Sequence, residues 1–217
     1  MEIRRTANAG VLVKLDGISI LLDGVCREVK PYLATPREER ERLTQSCPDI
    51  LAFTHIHMDH CDPAFTAAWQ RQTGRVILCP GQIPGCRTTH KILHRSGITL
   101  MPVESRHIGK AEPGLKHASF VIRGSRCVWF MGDASPLQWK GRQELPAPDV
   151  LIAPYAYAST PAAWEATKSL GARQVVLVHL PPREADPAEL WPAVENTAGE
   201  ALGSLLRIPE MGQTLKL

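Results

Sequence analysis

One histidine-rich segment, residues 55–60, constrains this chain more than any other stretch. It holds four side chains that bind metals: His55, His57, Asp59 and His60. It directly follows residues 49–53, an apolar run typical of a buried strand. Side chains alternate between the two faces of an extended backbone, so the first three are predicted to point the same way, and a turn brings the fourth beside them. Crowded, desolvated imidazoles and carboxylates need polar partners, and metal ions supply them. The segment therefore predicts a metal site at a strand end.

The composition is that of a globular protein with no requirement for a nucleic-acid or membrane surface. Apolar residues make up 44% of the 217 positions, charged residues 22%, and the net charge is only +3. The basic residues are scattered, and no apolar run approaches the roughly 20 residues that span a bilayer. We expect a single domain over residues 1–217 that acts on a small molecule. The oligomeric state is not determined by the sequence.

The six cysteines indicate a reducing compartment. None of them forms a C-x-x-C pair, and the first residues lack the apolar segment of an export signal. Both features favour free thiols in a cytoplasmic protein. Cys61 lies next to His60, where a packing role is favoured over a role as a metal ligand.

Apolar runs and turn signals predict an α/β protein in which antiparallel strands come first and strands alternating with helices follow. Asp16-Gly17 between two apolar runs predicts a β-hairpin over residues 10–22. Further strands are predicted at residues 49–53, 76–79, 98–103, 119–122, 127–131, 150–153, 175–178 and 214–217. Helices are predicted from residue 36, over 62–72, near 86–95, over 160–171 and from residue 186. His90 and His94 lie four positions apart on one of these helices, and without a third ligand they are interpreted as surface residues.

Three more candidate ligands lie at the ends of other predicted strands. Asp133 follows Gly132, a residue type that lets the backbone approach a ligand closely. His179 and His107 also lie at strand ends. Each signal is weak alone, because strand ends commonly carry turn or capping residues. Strand ends on one side of a sheet can converge, so the set indicates a site more strongly than its members do.

Together, the motif at residues 55–60, the later histidines and the Gly132-Asp133 pair resemble those of the metallo-β-lactamase superfamily of metal-dependent hydrolases, over nearly the whole chain. The resemblance implies a four-layer αββα sandwich of two mixed β-sheets flanked by helices. It also implies a dinuclear metal site at one edge of the sheets. In that site His55, His57 and a middle histidine hold the first metal, Asp59, His60 and His179 hold the second, and Asp133 bridges the two.

The middle histidine has two candidates. His107 lies at a strand end, where the family's third motif usually occurs, and is favoured. His117 lies just before the next strand. If His107 is the ligand, His117 is expected either to contact a ligand residue without binding the metal or to face the substrate. The intervening loop joins two predicted antiparallel neighbours, so both positions can lie near the site.

The ligand types suit two divalent ions, with Zn²⁺ as the default and Mn²⁺ or Fe²⁺ as alternatives. Two metals sharing a water lower its pKa to about 7, so the predicted chemistry is hydrolysis by a metal-bridged hydroxide. His57 favours hydrolysis, because the resembling di-iron oxidoreductases normally have Glu there. Asp59 is the candidate to orient the nucleophile or accept its proton. Thr54, Asp23 and Ser135 are candidates to orient the imidazoles.

The substrate is narrowed only to a class. A small phosphodiester is favoured, because Arg106, Lys110 and Lys116 lie beside the middle-histidine candidates and can contact a phosphate. Lactone or thioester hydrolysis, and a non-catalytic metal-binding or sensing module, are the alternatives. Tyr155 or Tyr157, after a strand, is a candidate pocket residue, whereas Trp129 is better explained by core packing.

Overall fold

The structure, a computed structural model, describes residues 1–109, 112–139 and 144–217. Within these residues the strands form two mixed sheets of seven strands each. The first sheet contains β1 (Glu2–Arg5), β2 (Val11–Leu15), β3 (Ile18–Leu22), β4 (Ile50–Ala52), β5 (Ile77–Leu78), β6 (Thr88–Thr89) and β14 (Thr214–Lys216), in the order β14-β1-β2-β3-β4-β5-β6. The second contains β7 (Leu93–Arg95), β8 (Ile98–Glu104), β9 (Ala118–Arg123), β10 (Cys127–Phe130), β11 (Val150–Pro154), β12 (Gln174–Val178) and β13 (Leu206–Arg207), in the order β13-β12-β11-β10-β9-β8-β7.

Four α-helices flank the two sheets and complete four layers. They are α1 (Arg37–Ser46), α2 (Pro63–Thr73), α3 (Pro161–Lys168) and α4 (Leu190–Ala198). The central core lies between the sheets, where Ile20 and Phe120 are fully buried. A second core packs α1 and α2 on the first sheet, and a third packs α3 and α4 on the second. The predicted αββα sandwich is confirmed. No helix in the described ranges is long and apolar enough to span a bilayer.

The predicted turn and cap residues act as expected. Asp16 and Gly17 both have positive φ, 50° and 80°, in the turn that joins β2 to β3. The carboxylate of Asp62 accepts a hydrogen bond from the backbone N–H of Ala64 at the start of α2, and Gly74 ends this helix at φ 66°. The hairpin and this helix are therefore confirmed close to their predicted bounds.

The helix predicted near residues 86–95 is wrong. Two short strands, β6 and β7, occupy this segment and pair with β5 and β8 at the edges of the two sheets. The unpaired edges of β5 and β8 offer hydrogen bonds that a local helical pattern does not reveal. His90 and His94 are both exposed, so their interpretation as surface residues is confirmed.

Two other differences concern the ends of the chain. The last helix, α4, begins at Leu190 rather than at residue 186, although the Asp186 carboxylate accepts hydrogen bonds from the backbone N–H groups of Leu190 and Trp191. Strand β1 was not predicted, because its charged side chains mask an alternation in which Ile3 is fully buried.

Cys61 is buried in the core under α2 and all six thiols are free, which supports the packing role.

The parallel strands bring their carboxyl ends to one edge of the sandwich. β3, β4 and β5 are parallel neighbours in the first sheet, and β10, β11 and β12 are parallel neighbours in the second. Residues that directly follow these strands therefore meet across the gap between the sheets. The candidate ligands at residues 55–60, 133 and 179 all follow strands of these two groups.

Candidate metal centre

Three histidines form the first group of candidate ligands. His55 and His57 follow β4, and their Nε2 and Nδ1 atoms lie 3.0 Å apart. The ring of His107 lies 4.9 Å from that of His55 and 5.0 Å from that of His57, between centroids. One nitrogen of each ring lies within 4.8 Å of the others, so a single ion could contact all three.

Asp59, His60 and His179 form the second group. The Nε2 atoms of His60 and His179 lie 3.1 Å apart, although the two residues are 119 positions apart in the chain. Asp59 Oδ2 lies 3.4 Å from His179 Nε2 and 3.9 Å from His60 Nε2. These atoms also lie within 4.8 Å of one another.

The carboxylate of Asp133 lies between the two groups. Its Oδ2 atom lies 3.4 Å from Nε2 of His107, in the first group, and 3.3 Å from Nε2 of His60, in the second. Its Oδ1 atom lies 3.5 Å from His179 Nε2. The structure thus brings together all seven predicted ligands, with Asp133 where a bridging carboxylate would lie.

The chemistry of this cluster fits divalent metal binding. Asp133 Oδ1 and His107 Nε2 are buried yet have no hydrogen-bond partner. Buried polar atoms without partners are costly, and a cation placed among them would satisfy both. Imidazole nitrogens and carboxylate oxygens are the donors that zinc and iron accept.

Asp23 and Thr54 orient the imidazoles of His60 and His55. Asp23 Oδ2 lies 2.8 Å from His60 Nδ1, which leaves His60 Nε2 directed toward the site. Asp23 also accepts hydrogen bonds from the backbone N–H and the hydroxyl of Thr54, at 2.7 and 2.6 Å. Thr54 Oγ1 in turn lies 3.0 Å from His55 Nδ1. Although Asp23 lies within reach of His55 and His60, its oxygens are already engaged, so it orients ligands rather than serving as one.

Gly132 is required by a close approach between strand ends. A Cβ atom here would lie 2.4 Å from Thr54 Oγ1, and the residue has φ 53°. The glycine therefore lets the backbone directly before Asp133 pass close to the Thr54 side chain. Ser135, the third predicted orienting residue, has no hydrogen bond from its side chain to an imidazole in the described part of the chain.

The two middle-histidine candidates have different environments. Both ring nitrogens of His117 are already engaged: Nε2 accepts a 3.0 Å hydrogen bond from the backbone N–H of Asp133, and Nδ1 lies 2.8 Å from Ser105 Oγ. His107 Nδ1 lies 2.6 Å from the carbonyl oxygen of Ile108, which directs its unpartnered Nε2 at the site. The geometry favours His107 as the third ligand, with His117 fixing the backbone of Asp133.

We expect His107→Ala to lower metal affinity more than about tenfold, because it removes a donor atom, whereas His117→Ala should retain the wild-type metal content. His117→Ala should instead reduce the free energy of unfolding by about 1–3 kcal/mol, since it leaves the buried N–H of Asp133 unpaired. Metal analysis after dialysis, with urea unfolding of the metal-free proteins, separates the two effects. Metal loss confined to His117→Ala would reverse the assignment.

Burial and mutual charge set the protonation of the cluster. Burial lowers the pKa of His55 well below its usual value, and the neighbouring His60 reinforces this, so His55 is neutral and able to bind a metal. Burial by itself raises the pKa of Asp133, but the charges of His179 and His60 outweigh it and hold that pKa well below the usual range. Asp133 is therefore ionised, as a bridging ligand must be.

Solved structures, but no family models or curated proteins, match this chain. A possible metal-dependent hydrolase from Veillonella parvula matches with a TM-score of 0.73 and 16% identity, over 100% of this chain and 99% of that one. Igni18, a metallo hydrolase from Ignicoccus hospitalis, matches with a TM-score of 0.67 and 24% identity, over 99% and 97%. The metallo-β-lactamase-fold protein YhfI from Bacillus subtilis matches with a TM-score of 0.62 and 14% identity, over 99% and 98%.

This chain has the metallo-β-lactamase fold. At these identities the likeness concerns the fold alone. CmlA, a diiron β-hydroxylase from Streptomyces venezuelae, also has a TM-score of 0.64 and 16% identity, over 100% of this chain and 54% of that one. The metallo-β-lactamase fold therefore does not by itself decide between hydrolysis and oxidation.

Sequence reasoning missed three residues at this metallo-β-lactamase-fold site. The Tyr32 ring packs edge-on against the His179 ring, with 4.5 Å between centroids. Glu112 Oε2 lies 3.1 Å from His57 Nε2 at the surface. The Asn8 side-chain nitrogen lies 3.4 Å from both ring nitrogens of His179. No motif marks any of the three: Asn8 and Tyr32 come from loops far in sequence from His179, and Glu112 lies in the loop that follows His107.

A loop near the N-terminus also supports the unusual backbone of His179. His179 has φ 65°, a conformation that costs a non-glycine residue roughly 1–3 kcal/mol. Its backbone N–H donates to the carbonyl oxygen of Asn8 at 3.0 Å. The buried guanidinium of Arg5 donates to the carbonyl oxygens of both Asn8 and Leu180, at 3.3 and 3.2 Å. Arg5 thus joins the two segments that place His179.

The site opens into a cavity of about 450 Å³, here called the reaction cavity. Its lining includes Tyr155, as predicted for one of the two tyrosines, whereas Tyr157 is buried in the core and accepts a hydrogen bond from Trp139. The predicted core position of Trp129 is confirmed. In the described part of the chain, no Lys or Arg lines this cavity.

Two of the three cations predicted to contact a phosphate do not line the reaction cavity. Arg106 and Lys116 are both exposed and do not line it. Lys116 lines a different cavity, which it shares with His117 and Ser105. Lys110 lies outside the described residues. The basis for preferring a phosphodiester is therefore weakened.

Proposed function

We propose that this protein is a metal-dependent hydrolase with a dinuclear centre. The observation that carries the proposal is the position of Asp133, whose Oδ2 atom lies within 3.4 Å of a histidine from each ligand group. This arrangement supports two ions at a fixed spacing, with His55, His57 and His107 on one and Asp59, His60 and His179 on the other. His57 further favours hydrolysis over the oxidative chemistry of a di-iron site.

A divalent pair bound here would supply an acidified water and a Lewis acid for the substrate oxygen. The protein residues prepare the site for that chemistry. Asp59 lines the reaction cavity with one carboxylate oxygen near His179, so it can orient the attacking water or accept its proton. Tyr155 also lines the cavity, and its hydroxyl can hydrogen-bond the substrate opposite the metals.

The lining of the reaction cavity favours a neutral carbonyl substrate over a phosphodiester. Val29, Met58 and Ile108 give it apolar walls, and the exposed carboxylate of Glu112 lies at its edge. An anionic substrate would meet that carboxylate with no described Lys or Arg side chain in the lining to offset it, and only the metal ions would attract it. A lactone or thioester carries no such charge. The proposal is therefore a lactone or thioester hydrolase, with phosphodiesterase activity as the second candidate.

Asp59→Ala is expected to lower turnover by at least about 100-fold with the fold intact, because the general base is lost. Turnover of a lactone and a thioester, circular dichroism and metal content should be measured together. If both ions are retained while turnover collapses, Asp59 acts on the reacting water and is not required to hold the metal. Unchanged turnover would remove Asp59 from the mechanism.

The reaction class is tested by assaying the metal-loaded protein on a lactone, a thioester and bis(p-nitrophenyl) phosphate. We expect turnover of the lactone or the thioester and little or none of the phosphodiester. Preferential phosphodiester turnover would restore the second candidate. Two bound metals with no turnover of any of the three would instead favour a non-catalytic metal-binding or sensing module.

A further inference from the structure

Large apolar side chains are exposed beside the metal site. Val29 and Met58, which line the reaction cavity, are 37% and 52% exposed, and Leu33 in the same loop as Val29 is 54% exposed. Isolated exposed apolar residues need no explanation, but a group of them at the mouth of a site indicates contact with an apolar ligand.

A second cavity of about 580 Å³ adjoins the reaction cavity. The two share Tyr32, which lines both. This second cavity, here called the apolar groove, is lined mainly by Pro31, Tyr32, Leu33, Ala185 and Pro187. Its two charged lining residues, Glu28 and Lys30, are exposed and of opposite sign. The groove therefore offers little net charge to an ionic ligand and mostly apolar surface to a neutral one.

Tyr32 is held so that it can separate the two spaces. The backbone N–H of Tyr32 donates to the carbonyl oxygen of Val29 at 2.8 Å, and the N–H of Val29 donates back at 3.1 Å. The edge-on contact between the Tyr32 and His179 rings fixes the tyrosine on its other side. A molecule whose reactive group lies at the metals would pass Tyr32 before reaching Leu33.

We propose that the apolar groove binds the hydrocarbon chain of the substrate, so that the preferred substrate is a lactone or thioester with a medium or long alkyl chain. This inference rests on the proposed hydrolase function and names its substrate class. The reacting carbonyl lies in the reaction cavity, and the chain runs past Val29 and Tyr32 to Leu33. Burying each methylene there strengthens transition-state binding by about fourfold.

The first test is a series of thioesters and lactones from butanoyl to dodecanoyl chains, assayed with the metal-loaded protein. The expected result is that kcat/KM rises about fourfold per methylene until the groove is filled, mainly through a lower KM. Leu33→Asp should reduce the advantage of dodecanoyl over butanoyl at least tenfold. Ile92→Asp is the matched control, because Ile92 is 51% exposed and lines neither cavity, and it should preserve that advantage.

The second test measures binding without turnover, which separates failure of this inference from failure of the proposed function. Decanoate and acetate are titrated into the metal-loaded protein by calorimetry. Decanoate should bind at least tenfold more tightly than acetate, and Leu33→Asp should abolish the difference while Ile92→Asp keeps it. The inference is overturned if decanoate and acetate bind equally, or if Leu33→Asp and Ile92→Asp have the same effect on the difference in affinity between them. In either case the groove binds no hydrocarbon chain, whether or not esters are hydrolysed. If decanoate binds as expected but no ester is turned over, the chain site stands and the hydrolase proposal fails.

Discussion

Asp133→Ala is expected to lose at least one metal equivalent and to reduce turnover by more than about 100-fold. The reason is geometric, because Asp133 is within 3.5 Å of ring nitrogens of His60, His107 and His179, drawn from both ligand groups. Its removal takes away the negative charge that holds two cations close together. Metal content, Kd for added metal and turnover should be measured on the same preparation.

Asp149→Ala is the matched control for that experiment. Asp149 precedes β11 at the opposite end of the same sheet, where its carboxylate accepts a 2.8 Å hydrogen bond from the backbone N–H of Cys127. Its loss should reduce the free energy of unfolding by about 1 kcal/mol and leave metal binding unchanged. Wild-type metal content and affinity in Asp133→Ala would contradict the dinuclear arrangement.

Removal of metal is expected to lower the thermal unfolding midpoint by about 5–10 °C for each ion lost. Free metal at about 100 times its Kd stabilises a folded protein by about 2.7 kcal/mol, and each kcal/mol shifts Tm by about 2–4 °C in a domain of this size. The metal-free site also leaves His107 Nε2 and Asp133 Oδ1 buried without partners. Calorimetry before and after dialysis against a chelator measures the shift.

Two further measurements test whether the shift in Tm comes from metal bound at this site. Re-adding Zn²⁺, Mn²⁺ or Fe²⁺ should restore Tm, and the ion that restores it at the lowest concentration has the highest affinity for the site. Asp133→Ala should show a much smaller shift on chelation than the wild type. A wild-type Tm that is indifferent to chelator, with all metal removed, would show that the cluster gains no stability from an ion.

Local sequence patterns predicted the parts of the fold whose causes are local. Asp16-Gly17 predicted the β2–β3 hairpin because only a few residue types accept positive φ in a tight turn. Asp62 and Gly74 predicted the ends of α2 because they cap its free backbone groups. The helix predicted near residues 86–95 failed because pairing with β5 and β8, which lie in different sheets, outweighs local helical spacing.

The candidate site also combines features that local sequence predicted with features that only the structure revealed. The spacing of residues 55–60 after a strand was sufficient to predict a cluster of donors, because strand alternation is a local property. The sequence already favoured His107 over His117 from its strand-end position, but the physical reason needed the structure, since both ring nitrogens of His117 are engaged by Ser105 and the backbone of Asp133. Tyr32 and Asn8 were missed because they contact His179 from sequence-distant loops.

The sequence by itself determined the donor types, their placement at strand ends and the layered α/β architecture, because these follow from backbone alternation, turn chemistry and burial of apolar runs. Only the tertiary structure decided that Asp133 lies between two groups of histidines and that Arg106 and Lys116 lie outside the reaction cavity. The physical reason is that distances between separate strand ends depend on how the two sheets pack across the core, which no local pattern specifies.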